Sequence, residues 1–130
     1  MNSKRTILEN KIRNIVKSVL REASPDTGFQ IEYYETYGQY GTTGKNYYSL
    51  ESAVSEGKKH IKDSDFMGGV EYVGVIGYGG EPKFAVLYCK PSYLKHLDEF
   101  WFDSPQDFAK FRNACQKVID TGKPVKGKFT

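Results

Sequence analysis

Between residues 4 and 23, apolar side chains return in steps of three and four: Ile7, Leu8, Ile12, Ile15, Val16, Val19, Leu20 and Ala23. That spacing draws one apolar stripe along a helix and leaves Lys11, Arg13, Lys17 and Arg21 on its other faces. Ser24-Pro25-Asp26 ends the pattern, because proline disfavours helical geometry in the residue before it. Leu8, Ile12, Ile15 and Val19 fit a seam of about two heptads, fewer than a sustained coiled coil needs, so the segment is read as a core or docking helix. At Phe29 the period changes to two. Phe29, Ile31, Tyr33 and Tyr37 alternate with Gln30, Glu32, Tyr34 and Thr36, the pattern of a strand with one apolar face.

The glycine-rich GQYGTTGKN follows and is read as a turn, with Tyr47 and Tyr48 as a short return strand. Leu50, Ala53, Val54, Gly57 and Ile61 then stand at helical spacing. Ser49 is a suitable N-cap, and Lys58, Lys59 and Lys62 lie where a helix dipole favours cations. Val70 to Tyr78 and Lys83 to Lys90 flank GGEP and predict a hairpin, rich enough in β-branched and aromatic residues to form the centre of a sheet. A second helix is signalled by Ser104 as N-cap, Pro105 at the first helical position and Asp107 in a capping-box spacing. Its apolar face is Phe108, Phe111, Cys115, Val118 and Ile119, and Gly122 followed by Pro124 ends it.

These elements predict an α+β fold: an N-terminal amphipathic helix, then a loose ββα-ββα pattern, with helices packed on one face of an antiparallel sheet. The expected division is a docking or core helix over residues 1–23, one α+β domain over 24–122, and a basic tail over 123–130.

Charge sharpens that division. The 130-residue chain carries a net charge of +3. Residues 1–23 hold six basic against two acidic side chains, residues 123–130 hold three lysines and no acid, and the body between them nets −4. A mildly acidic body with two basic ends argues against a broad nucleic-acid-binding face and marks the ends as contacts for an acidic partner. No apolar run reaches the roughly 20 residues of a membrane span, and the first residues lack a signal-peptide pattern. A location in the cytoplasm or in an assembled particle is expected. Cys89 and Cys115 have no metal-ligand spacing and read as free thiols, with a single bridge between them left open.

The stretch from Tyr33 to Tyr48 holds six of the ten tyrosines. Aromatic rings stack nucleic-acid bases when a basic groove runs beside them, but Glu32, Glu35, Lys45 and Glu51 do not make such a groove. The stretch is read as a hairpin with a tip, around Tyr37 and Tyr40, suited to protein contacts. Gly74 to Gly80, GVIGYGG, falls within a hairpin and precedes no helix, so its glycines are read as a bulge and a turn rather than a phosphate loop. His60 and His96 lack ligand spacing, and Asp63 to Asp65 lacks a calcium-loop register. Trp101 is assigned to the core. No catalytic residue, metal or cofactor is expected.

KIRNIVKSVLREA resembles the short basic amphipathic helices that begin many small proteins of tailed bacteriophages. That resemblance, confined to Lys4 to Ala23, implies a small virion or accessory protein docking onto a larger assembly. The expected function is thus a non-enzymatic interaction module, bound to a protein partner or to itself. Leu8, Ile12, Ile15 and Val19, with Arg13, Lys17, Tyr37 and Tyr40, would make the contacts. The alternative is a small nucleic-acid-binding protein using the basic helix and tail, whose affinity would fall steeply with salt.

Overall fold

The computed structural model describes residues 27–130. The expected helix at 4–23, with Leu8, Ile12, Arg13, Ile15, Lys17 and Val19, lies outside them. Strand β1 (Gly28–Glu35) turns back into β2 (Gln39–Thr42), and helices α1 (Leu50–Ile61) and α2 (Ser64–Met67) follow. Strands β3 (Val70–Tyr78) and β4 (Lys83–Cys89) form the long hairpin. Two 3-10 turns (Pro91–His96 and Glu99–Trp101) lead to α3 (Pro105–Thr121) and then β5 (Val125–Lys128). The described strands make one antiparallel sheet in the order β2-β1-β3-β4-β5. An α+β fold is therefore present, and β3 is the central strand, as its long apolar run suggested.

The caps act as the sequence predicts. Ser52 N–H donates to Ser49 Oγ at 3.1 Å and Asp107 N–H to Ser104 Oγ at 3.1 Å. Gly122, at φ 69°, closes α3 in the left-handed region by donating its N–H to Val118 O.

Three expectations are corrected. The helices do not share a face: α1 and α3 cover opposite sides of the sheet. On one side Leu50, Ala53 and Val54 pack on Phe29, Ile31, Val73, Val75 and Leu87. On the other Phe111, Ala114, Cys115 and Val118 pack on Tyr34, Tyr72, Phe84 and Val86. The cause is visible in β3, which is buried from Val70 to Val75 at every position. A strand without polar alternation needs cover on both faces.

The basic segment 123–130 is not simply a tail, since Val125 to Lys128 pair with β4 as an edge strand whose Lys126 and Lys128 are exposed. Exposed lysines on an edge discourage further strand pairing. The tyrosine-rich hairpin also turns earlier than expected, at Thr36-Tyr37-Gly38. Gly38 has φ 86°, and its N–H donates to Glu35 O at 2.9 Å. Gln39 to Thr42, read as turn, are the return strand, while Tyr47 only bridges back to Phe29.

Candidate functional site

The side of the sheet covered by α3 carries an unusual floor. Along β1 the positions facing it include Glu32, which alternation alone would have sent to solvent. It is 4% exposed. Tyr72 of β3 lies on the same side, and its hydroxyl donates to Glu32 Oε2 at 2.9 Å. Gly74 makes this reach feasible: it stands opposite Glu32 in the β1–β3 register, and Tyr72 Oη and Cζ occupy the space its side chain would need. The β3–β4 register shifts between Val73 and Gly74, so the glycine run does contain the expected bulge, and Gly79 and Gly80 turn the chain at positive φ.

Above this floor sits an aromatic cage. Tyr93, from the first 3-10 turn, stacks on Tyr72 with centroids 4.4 Å apart and planes 8° from parallel. Tyr40, from β2, hydrogen-bonds Tyr93 through their hydroxyls and takes Trp101 edge-on at 5.1 Å. Tyr40 is thus part of a cluster rather than of the tip, while Tyr37 stands 90% exposed at the turn. Trp101 is half-buried at the cage, not in the core.

The cage opens into a cavity of about 270 Å³. Its walls come from β1, β2, the end of β3, the β3–β4 turn, both 3-10 turns and the residues that follow them, the first half of α3 and the residues after β5. Glu32, Glu81, Asp103 and Asp107 line it, beside Tyr40, Tyr93, Trp101, Phe102 and Phe129, and no Lys, Arg or His does so among the described residues. Two of the carboxylates differ sharply in their partners. Asp107, 2% exposed, does not complete a capping box with its side chain. Instead its Oδ1 accepts from Thr130 N–H and Thr130 Oγ1, each at 3.0 Å, which ties the chain beyond β5 to α3. Asp103 Oδ1 is buried and accepts no hydrogen bond among the described residues. Burial raises the Asp103 carboxyl above its ordinary pKa.

Burial, reinforced by the Glu32 charge, also raises the phenols of Tyr72 and Tyr93 well above their ordinary value of 10.0; for Tyr93 the neighbouring Tyr72 and Tyr40 add to it. The consequence for stability has a definite sign. Above pH 10 the unfolded chain loses these protons and the folded chain keeps them, so unfolding becomes easier as pH rises. In a titration of tyrosinate absorbance, Tyr72 and Tyr93 are expected to ionise only together with loss of near-UV circular dichroism. Early ionisation of all ten tyrosines with the fold intact would contradict this packing.

The other chemistry-bearing residues lie elsewhere. Cys89 and Cys115 are free, buried thiols brought side by side between β4 and α3. The Cys89 sulfur and burial raise the Cys115 thiol far above its usual range, which keeps it protonated. His60 stacks on Phe66 and His96 packs against Tyr34. Among the described residues no group of three or more His, Cys, Asp or Glu is placed to hold a metal ion, and no helix is long and apolar enough to cross a membrane.

Sequence reasoning did not find Glu32, Tyr72, Tyr93, Asp103 or Asp107 as a group, because four separate elements converge to make it. One signal was present: an apolar β3 needing cover on both faces implies that the polar positions of its neighbour β1 are also covered. Comparison of the chain with protein-family models, with curated proteins and with solved structures finds no match in any of the three.

Proposed function

We propose that this chain is a non-enzymatic interaction module whose acidic, aromatic cavity receives a cationic side chain from a protein partner. The observation that carries this reading is Asp103 Oδ1, a buried acceptor that no donor reaches among the described residues, in a cavity that four carboxylates and no described base line. An unsatisfied buried acceptor costs about 1–3 kcal/mol, which a charged donor in the cavity would recover. Tyr40, Tyr93 and Trp101 supply ring faces and edges around the same space. An aromatic face attracts a cation by about 0.5–2 kcal/mol, more as water is excluded. The same carboxylates repel phosphate, so a nucleic acid is not the ligand of this cavity.

tert-Butylammonium, a cation with N–H donors, is the probe that tests the reading, with tert-butanol as its uncharged counterpart of the same shape. Trp101 is the sole tryptophan, so its emission reports on the cavity directly. A saturable change is expected with the cation and none with the alcohol. Asp103→Asn is expected to weaken binding about tenfold, the loss of one charge-assisted contact. Acidification acts in the same direction. Because the Asp103 carboxyl is raised, affinity falls as pH drops through a range above the ordinary 3.8 of an aspartate. Equal responses to cation and alcohol, or an affinity indifferent to Asp103→Asn, would remove the proposal.

A further inference from the structure

We infer that the protein partner of this cavity is a second copy of the same chain, which presents Lys123 to it head to tail. The inference rests on the cavity being a receptor for cations and names what fills it.

Charge is the first argument, and it is complementary. Residues 27–104 hold seven basic and eleven acidic side chains, whereas residues 105–130 hold six basic and two acidic. One of those two acids, Asp107, is buried in the cavity wall. Positive charge is therefore concentrated along α3 and β5. Lys117 and Lys126 line one groove between these elements, and Lys123 stands in the turn that joins them.

Place is the second. Asp103 precedes the first turn of α3 and Asp107 lies in it, whereas Lys123 follows the last turn. A helix of 17 residues spans about 25 Å, far beyond the reach of a lysine side chain. Lys123 therefore cannot fill the cavity of its own chain. Donor and receptor at opposite ends of one element are what a heterologous contact between copies needs, and such a contact propagates as a ring or a filament.

Presentation is the third. Lys123 is exposed and makes no ion pair among the described residues. Its backbone is held on both sides. Gly122, at φ 69°, donates its N–H to Val118 O at 2.8 Å, and Lys123 N–H donates to Thr121 Oγ1 at 3.2 Å. Pro124 then fixes the next residue. A side chain offered from a preformed turn loses less freedom on docking than one that must be ordered first.

Sedimentation velocity of the full chain tests this. Average mass is expected to rise with protein concentration and to fall with added salt, which screens the contact. tert-Butylammonium should dissociate the assemblies, and tert-butanol should not. Lys123→Glu and Asp103→Asn are each expected to weaken self-association about tenfold or more. An equimolar mixture of the two variants should regain wild-type affinity but stop at two chains. The Asp103→Asn chain still offers Lys123, the Lys123→Glu chain still offers the cavity, and the two remaining ends of the pair are both impaired.

A wild-type chain that stays monomeric at every concentration while tert-butylammonium binds overturns the pairing and leaves the cavity reading standing. Absence of both association and cation binding overturns the two together. Association that survives Lys123→Glu, or that tert-butylammonium does not compete, places the contact on other surfaces and overturns the inference. A mixture no larger than either variant alone does the same.

Discussion

Gly74→Ala is expected to lower folding stability by about 2–4 kcal/mol and to detach Tyr72 from Glu32. The added methyl would stand inside contact distance of Tyr72 Oη and Cζ, and 2.9 Å from the backbone oxygen of Ala85. The backbone oxygen belongs to a paired strand and cannot swing aside. Tyr72 cannot move freely either, because it is fully buried and stacked on Tyr93. Either the strands shift or the tyrosine leaves Glu32 without this donor in a nearly dry site. Gly68→Ala is the matched control: its φ is −62°, and the nearest atoms to a new methyl lie at 3.7 Å and 3.9 Å. That substitution should stay within about 0.5 kcal/mol of wild type, as surface changes do. Urea denaturation of both variants decides the point, and equal midpoints would show that Gly74 is not holding space for the tyrosine.

Phe84→Ala should cost about 3–5 kcal/mol, a large part of the roughly 5–15 kcal/mol that holds a domain folded. Phe84 is fully buried, stacks on Phe129 at 4.5 Å and meets Phe111 at 5.5 Å. Its ring also fills the space over Gly127, its partner across the β4–β5 ladder. Removing the ring therefore loosens α3, β5 and the aromatic wall of the cavity together. Thermal unfolding with cation binding measured in parallel checks this. A loss of stability without weaker binding would separate the core from the cavity, contrary to the shared role of Phe111 and Phe129.

The parts of this fold that could be read in the sequence are those fixed by local chemistry. Ser49, Ser104, Pro105 and Gly122 mark helix ends because capping involves atoms only a few residues apart. The β3–β4 hairpin is legible for the same reason. The sidedness of the helices was not, because it depends on which face of the sheet each connection crosses. A ββα repeat is compatible with either choice. β5 was hidden by its composition: Val125-Lys126-Gly127-Lys128 is too short and too charged to look like a strand, and it pairs only because β4 offers an edge.

The tyrosine-rich stretch was resolved in kind but not in detail. It is a hairpin, and Tyr37 sits at its exposed turn. Tyr48 is exposed as well, while other rings of the stretch pack on both faces of the sheet: Tyr33 meets Phe66 on the α1 side, and Tyr34 meets Tyr93 on the α3 side. Tyr40 became part of the cage because the segment read as a turn is a strand, which places that ring over the sheet. Asp107 illustrates the limit most clearly. Its spacing from Ser104 marks the helix start correctly, yet the carboxylate serves Thr130, a residue 23 positions away.

A tert-butylammonium titration read residue by residue tests the cation site in this cavity most directly. In a ¹⁵N-labelled full-length chain, the indole N–H of Trp101 and the amides of Asp103, Asp107 and Thr130 should shift together along one saturation curve. The amides of Tyr37 and Tyr48, whose side chains are exposed and are not among the lining residues, should remain still. Shifts spread evenly over the exposed carboxylates, with Trp101 unmoved, would contradict a cation site in this cavity.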